Sequence, residues 1–315
     1  MGPAERGTMP LGRPFALERR RFMPSDTWTV KRVLDWTVGY LERKGDERPR
    51  LSAEWLLCAA TGLTRVEVYT NFDKPLTPDE LAVMHESVAR RGRGEPLQYV
   101  TGEMPFRHIV MRCERGVLIP RPETEVLVDA CLEALKGISD PRVLEIGTGT
   151  GCIALSLATE CPGTRVIATD ISPRAIALAT RNRDALELAG VVDIVECDLA
   201  AAVPKSLMGT FDLLVSNPPY IPTAVLENEV PPEVKDHEPH LALDGGADGL
   251  DVFRRLLPLA GEALRPGGTL ALELSEDNVE AAADYCRAQG GWCNVEVRED
   301  LTHRPRVLLA TREEA

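Results

Sequence analysis

The sequence predicts an open, doubly wound α/β sheet, seven-stranded and mostly parallel, preceded by a small helical bundle. Three observations carry this expectation. From Arg142 onward, strand-like apolar runs alternate with helical ones. The first of these strands, Arg142-Val143-Leu144-Glu145-Ile146, runs into Gly147-Thr148-Gly149-Thr150-Gly151, a glycine loop at a strand-to-helix turn. A later strand, Phe211-Asp212-Leu213-Leu214-Val215-Ser216, ends in Asn217-Pro218-Pro219-Tyr220. Both polar clusters close strands of one sheet, on the edge where open α/β sheets bind ligands.

The elements follow in order. Residues 1–25 are rich in arginine, glycine and proline without an apolar stretch, and read as a disordered tail in which Met9 or Met23 could be the true start. Residues 26–93 read as a helical domain. Val30, Val33, Leu34, Val38 and Leu41 recur at helical spacing, and Trp55, Leu56 and Leu57 sit in a second helix from Ser52 to Ala60. A short helix starts near Leu63, and Thr77-Pro78-Asp79-Glu80 is a capping box opening a helix to about Arg91. Residues 94–120 combine turn residues with alternation, from Glu95-Pro96-Leu97-Gln98 to Leu118, and read as a β-hairpin linker. Residues 121–315 hold the sheet, opened by a helix that the Leu118 to Glu125 stretch enters and that runs through Leu135, and closed by an antiparallel edge pair, Cys293 to Arg298 and Val307 to Thr311.

The chemistry of the prolyl tetrapeptide is specific. Neither proline has an N–H, and each disfavours helix in the residue before it, so this backbone stays extended. Asn217 offers a side-chain carbonyl and Pro218 a main-chain one, which together can accept both hydrogens of one –NH2 group. A carboxamide or aryl amine nitrogen is a poor nucleophile because its lone pair is delocalised. Holding both N–H groups out of plane favours a pyramidal nitrogen whose lone pair points at a methyl donor, with Tyr220 lying on the planar substrate. That needs positioning and no strong base. Asn217, Pro218 and Tyr220 are therefore the candidate catalytic residues, and Asn217 to Tyr220, with Pro219, the candidate substrate site. The glycine loop is less specific, since it serves a nicotinamide cofactor as well as a methyl donor. Asp170 ends the next strand, where an acid can hold ribose hydroxyls. Ser172-Pro173 then opens a helix, and Asp198-Leu199 follows a third strand.

Composition excludes other classes. The chain has 315 residues, 44% of them hydrophobic, enough for one large domain or two. A net charge of −13 opposes broad phosphate-backbone binding. Eight cysteines show no C-x-x-C pair and no metal spacing, as expected of reduced thiols in the cytoplasm. Pro239 separates His237 from His240 and spoils a helical ligand pair, so no metal is expected. No apolar run reaches membrane-spanning length.

With these residues in place, the chain resembles the peptide chain release factor glutamine methyltransferases, over about Thr27 to Thr311. The resemblance includes Leu118-Ile119-Pro120-Arg121-Pro122-Glu123-Thr124-Glu125, Gly94-Glu95-Pro96-Leu97-Gln98-Tyr99 and Arg304-Pro305-Arg306. It implies S-adenosylmethionine as donor, on Glu145, Gly147, Thr148, Gly149, Thr150, Gly151, Asp170, Asp198, Leu199 and Asn217. It implies a five-helix N-terminal domain that engages a release factor, and methyl transfer to the glutamine of that factor's Gly-Gly-Gln loop. A cytoplasmic monomer acting on protein, without direct nucleic-acid or membrane contact, is expected. Ser275 and Asn278 stand where the family often has glycine and glutamine, and Glu145 where aspartate is common. The rival readings are an amino methyltransferase acting on a nucleobase, and an idle donor-binding protein. The acidic charge opposes the first; the intact glycine loop and Asn217 oppose the second.

Overall fold

The computed structural model describes residues 27–314. The tail expectation and the alternative starts at Met9 and Met23 lie outside these residues. The chain forms two compact units that meet in sequence between Thr101 and Gly102.

The first unit is helical: α1 (Val30–Arg43), α2 (Pro49–Thr61), α3 (Arg65–Thr70), α4 (Pro78–Arg91) and α5 (Leu97–Thr101). Val30, Val33, Leu34 and Leu41 line one face of α1 and pack on Leu56 and Leu57 of α2 and Met84 and Val88 of α4. Capping starts the helices where the sequence signals them. Thr64 with Glu67, and Thr77 with Glu80, form complete capping boxes, and Gly62 closes α2 in the left-handed conformation. The buried Glu54 carboxylate is held by Arg50 at 2.9 Å, Arg65 at 2.7 Å and the Tyr69 hydroxyl.

The stretch expected as the first part of a hairpin linker is divided differently. Leu97–Thr101 is helical and belongs to the first unit. Tyr99 and Val100 both donate to the Pro96 carbonyl, and Arg90 grips the buried Glu95 carboxylate at 2.6 Å. Proline at a helix start and one buried aromatic imitated strand alternation here. The hairpin itself is short: β1 (Glu103–Phe106) pairs antiparallel with β2 (Ile109–Arg112).

The second unit continues with α6 (Glu123–Ala134), β3 (Arg142–Ile146), α7 (Cys152–Glu160), β4 (Arg165–Asp170), α8 (Pro173–Ala185), β5 (Val192–Glu196) and β6 (Phe211–Ser216). Two short helices, α9 (Thr223–Asn228) and α10 (Pro232–Lys235), precede α11 (Asp251–Ala263), β7 (Leu264–Glu273), α12 (Val279–Gln289), β8 (Trp292–Glu299) and β9 (Pro305–Arg312). The seven-stranded sheet has the order β5-β4-β3-β6-β7-β9-β8. β9 is inserted between β7 and β8 and runs antiparallel to both. Alternate residues feed two cores. Val143, Val166, Leu213 and Val215 face one, with Leu127 of α6 and Leu155 of α7. Leu144, Leu214, Leu270 and Leu272 face the other, with Phe253 and Leu257 of α11.

Strand order reverses between β3 and β6, the switch point at which open α/β sheets bind ligands. Ile146 pairs with Thr169 on one side and Ser216 on the other, so the loops beginning at Gly147, after Asp170 and at Asn217 leave the same edge. Thr77→Ala is expected to destabilise the first unit by about 1 kcal/mol through loss of its cap. Urea unfolding followed by tryptophan fluorescence measures this, and an unchanged midpoint would mean that packing alone starts α4.

Candidate active site

The glycine loop is built by its own backbone and by the strands beneath it. Gly147, Gly149 and Gly151 all have positive φ, which a side chain would strain. The N–H groups of Gly147 and Thr148 both donate to the Thr169 carbonyl, at 2.8 and 2.9 Å, which ties the loop to the end of β4. Asp170 reaches back: its carboxylate accepts from the Gly149 N–H at 2.9 Å and from the Ser172 N–H at 2.8 Å. Burial pushes the Asp170 carboxyl above the usual range, against the pull of those N–H groups.

A cavity of about 200 Å³ lies against this loop, lined by Gly147, Gly149, Asp170, Asp198, Leu199 and Asn217, with Pro218 and Pro219 beside them. Asp198 pairs with Arg255 of α11 at 2.6 Å, both half-exposed, and Arg255 also lines the cavity. Leu199 has φ near +50°, an uncommon conformation for leucine at a cavity wall.

Four residues expected at the donor site do not line this cavity: Glu145, Thr148, Thr150 and Gly151. They shape the loop from behind. Glu145 is fully buried; its Oε2 accepts from the Thr148 hydroxyl at 2.7 Å and the Ala154 N–H at 3.2 Å, while Oε1 has no protein partner. Burial pushes its carboxyl up to about 8. The Thr150 carbonyl accepts from the Asn182 amide at 2.9 Å. A Cβ on Gly151 would press on Leu155 at 3.1 Å.

The prolyl tetrapeptide spans two cavities. Asn217 lines the first and also a second, of about 550 Å³, shared with Tyr220, Arg121, Glu123, Glu273 and Arg306. The Asn217 amide nitrogen donates to the Thr124 hydroxyl at 3.2 Å, which leaves its carbonyl oxygen to face elsewhere. Tyr220 is partly buried, and its hydroxyl donates to Glu273 at 3.4 Å. Burial pushes the Tyr220 phenol well up, so it stays protonated.

Sequence reasoning assigned no role to several residues that hold this arrangement. Asn278 donates to the Tyr220 carbonyl at 3.0 Å and accepts from the Ser275 N–H at 3.1 Å, so the departure from the family pattern forms a working clamp on the tetrapeptide. Gly249 lies so close that a Cβ there would meet the Tyr220 oxygen at 2.3 Å. Glu238, 4% exposed, accepts from the Ile119 N–H at 3.2 Å and pairs with Arg121 at 2.5 Å, fixing the Ile119–Arg121 backbone. Thr124 and Glu273 join them. None adjoins Asn217 in sequence; the Leu118 to Glu125 pattern contained Thr124, and Asn278 stood out only as a departure from the family pattern.

Comparison with known proteins gives the family. Residues 32–102 match the PrmC N-terminal domain, and residues 123–234 match the methyltransferase small domain. A release factor glutamine methyltransferase of Geobacter sulfurreducens is 45% identical over 283 residues, covering 90% of this chain and 96% of that protein. One from Moorella thermoacetica is 44% identical over 286 residues, covering 91% and 99%. The chain belongs to the release factor glutamine methyltransferase family. The fold is also that of the catalytic domain of hMettl16, solved in complex with MAT2A 3'UTR hairpin 1. That match has a TM-score of 0.53 and 14% identity, and covers 88% of this chain and 91% of that one. As a member of this family the chain is a methyltransferase whose methyl donor is S-adenosylmethionine. The site suits such a donor: backbone without side chains at Gly147 and Gly149, two carboxylates in the cavity wall, and the buried Oε1 of Glu145 without a partner.

The raised Glu145 pKa has a consequence for stability. The folded state binds this proton more tightly than the unfolded chain, so the Glu145 contribution is present at low pH and lost as pH rises from about 4.5 to about 8. Across that window the melting temperature of the wild type should fall relative to that of Glu145→Gln. Melting curves of the pair check this, and a constant difference across the window would show that Glu145 does not titrate there.

Proposed function

We propose that this chain transfers the methyl group of S-adenosylmethionine to the side-chain amide nitrogen of the glutamine in the Gly-Gly-Gln loop of translation release factors. The observation that carries the reading is the Asn217 amide, which lines both cavities and has its nitrogen engaged by Thr124.

The donor supplies an electrophilic methyl carried on a sulfonium. Gly147 and Gly149 would let it approach the backbone, Asp170 would accept from its ribose hydroxyls, and Asp198 with Leu199 would border the rest of the donor in the same cavity. Glu145, Thr148, Thr150 and Gly151 support this site through the loop they build. Asn217 and Pro218 then take the two N–H groups of the substrate amide on their carbonyl oxygens. This draws the nitrogen out of conjugation and aims its lone pair at the donor side. As the C–N bond forms, the methyl–sulfur bond breaks and its electron pair stays on sulfur; positive charge grows on the nitrogen, the two carbonyl dipoles stabilise it, and one N–H proton then passes to solvent. Pro219 keeps the segment extended, and Tyr220 packs on the planar amide.

The helical unit, from Thr27 to Thr101, recognises the protein that carries the loop. A small amine would need no such module, and the acidic chain is a poor surface for nucleic acid. The enzyme acts as a cytoplasmic monomer.

Mass spectrometry of a candidate release factor after incubation with enzyme and donor tests the reaction, and one added methyl on the Gly-Gly-Gln glutamine is expected. Methylation of nucleic acid with none on the factor would favour the nucleobase reading instead. Asn217→Ala should lower turnover by about 10²–10³-fold with the fold retained, as for loss of a positioned group in a transition state. Asp170→Ala should weaken donor binding by about 1–3 kcal/mol, read by calorimetry. A short Gly-Gly-Gln peptide should react far more slowly than the whole factor, because it forfeits remote binding energy.

A further inference from the structure

The two ends of a primary amide are nearly the same size and opposite in hydrogen-bonding sense. Turned about its last torsion, Asn217 would present an N–H group to the substrate nitrogen. Two donors would then face each other, and the substrate –NH2 would lose one of its two acceptors. Something must therefore fix which end of Asn217 faces the substrate.

The group on its other side is Thr124, in the first turn of α6. Its side chain is buried, and its Oγ1 lies 3.2 Å from the Asn217 nitrogen. A hydroxyl alone does not select an orientation, since it can donate to Asn217 Oδ1 as readily as it accepts from Nδ2. It selects one only when its own proton is engaged elsewhere.

Glu273 supplies that engagement. It is the last residue of β7, and Ser216 pairs with Leu272, so Glu273 stands beside Asn217 on the sheet edge. It is 1% exposed and lines the second cavity. The Tyr220 hydroxyl donates to its Oε1 at 3.4 Å, its buried Oε2 is left without a hydrogen-bond partner, and the nearby Thr124 hydroxyl favours its ionised form. An ionised carboxylate only accepts, so it draws the Thr124 proton and leaves a hydroxyl lone pair for Asn217.

We propose that Thr124 and Glu273 form a positioning relay that holds the Asn217 amide with its carbonyl toward the substrate nitrogen. The inference rests on the reading of Asn217 as the residue that grips the substrate amide. Glu273 and Thr124 are positioning residues and touch no reacting atom. The charged and titratable groups facing Glu273 are Arg306 from β9, Glu123 from the start of α6 and the Tyr220 phenol. Burial raises the Glu273 carboxyl to about 7; Thr124, Arg306 and Tyr220 favour its ionised form, and Glu123 opposes it. Below that pH the protonated group becomes a donor, competes for the Thr124 oxygen and releases Asn217.

Steady-state kinetics with a whole release factor test this. Thr124→Val keeps the shape and removes the hydroxyl. Its kcat should fall about tenfold or more, the range for a lost buried hydrogen bond, while KM for factor and donor change little. Thr124→Ser should restore kcat. Glu273→Gln is the second variant: wild-type kcat should decline as pH drops through about 7, and this acid limb should vanish in the variant. A wild-type kcat in Thr124→Val, beside an inactive Asn217→Ala, overturns the relay and leaves the reading of Asn217 standing. Failure of serine to restore activity, or an acid limb that persists in Glu273→Gln, also overturns the relay. Wild-type activity in Asn217→Ala would instead remove the reading on which it rests.

Discussion

The parallel pairing of β3 with β6 is the constraint on which the site depends. These strands are about 70 residues apart in sequence, yet their last residues, Ile146 and Ser216, are in register. The buried Ser216 hydroxyl donates to the Ile146 carbonyl at 2.7 Å and locks the two ends together. Each strand then releases its loop at the same level, one built of glycines for close approach and one of prolines for extension. A one-residue slip would turn every apolar side chain of β6 to the wrong core, so register is held by burial on both faces. The geometry of the site is thus a by-product of packing Leu213 and Val215 on one side and Leu214 on the other.

Carboxylates are concentrated around this edge at different depths. Glu145 lies fully buried behind the glycine loop, Asp170 sits in the first cavity, Glu273 in the second, and Glu238 ties down the approach to α6. Burial raises the first three above the usual carboxylate range, while backbone N–H groups and hydroxyls draw them back. Carboxyls held this close to their protonated form ionise readily when a cation is placed beside them, which suits a cationic methyl donor. The desolvation cost falls on folding, so the dipoles and charges need little rearrangement during reaction.

The tetrapeptide shows how much support a short motif needs. Its prolines forgo two backbone hydrogen bonds, and neighbouring residues hold the segment in place. Asn278 takes the Tyr220 carbonyl, Gly249 permits the close approach of the following loop, and Thr124 takes the Asn217 nitrogen. These contacts come from the residue before α12, the loop before α11, and α6, which are not adjacent in sequence. Precision at Asn217 is therefore a property of the packed unit.

The sequence by itself determined the fold class, the alternation of strands and helices from Arg142 onward, the capped helix start at Thr77, and the glycine and prolyl loops that close two strands of the sheet. All are local signals: apolar period, capping chemistry, glycine where φ is positive, proline where helix is barred. It misassigned Leu97–Thr101, because five residues are too few for a helical period to outweigh turn residues and one buried tyrosine. The tertiary structure alone decided that Glu145, Thr148, Thr150 and Gly151 stand behind the loop while Gly147 and Gly149 line the cavity. It alone brought Asn278, Glu238, Thr124 and Glu273 to the tetrapeptide. A side chain's hydrogen-bond partner across 50 to 120 residues is set by strand register and helix placement, and no local pattern encodes it.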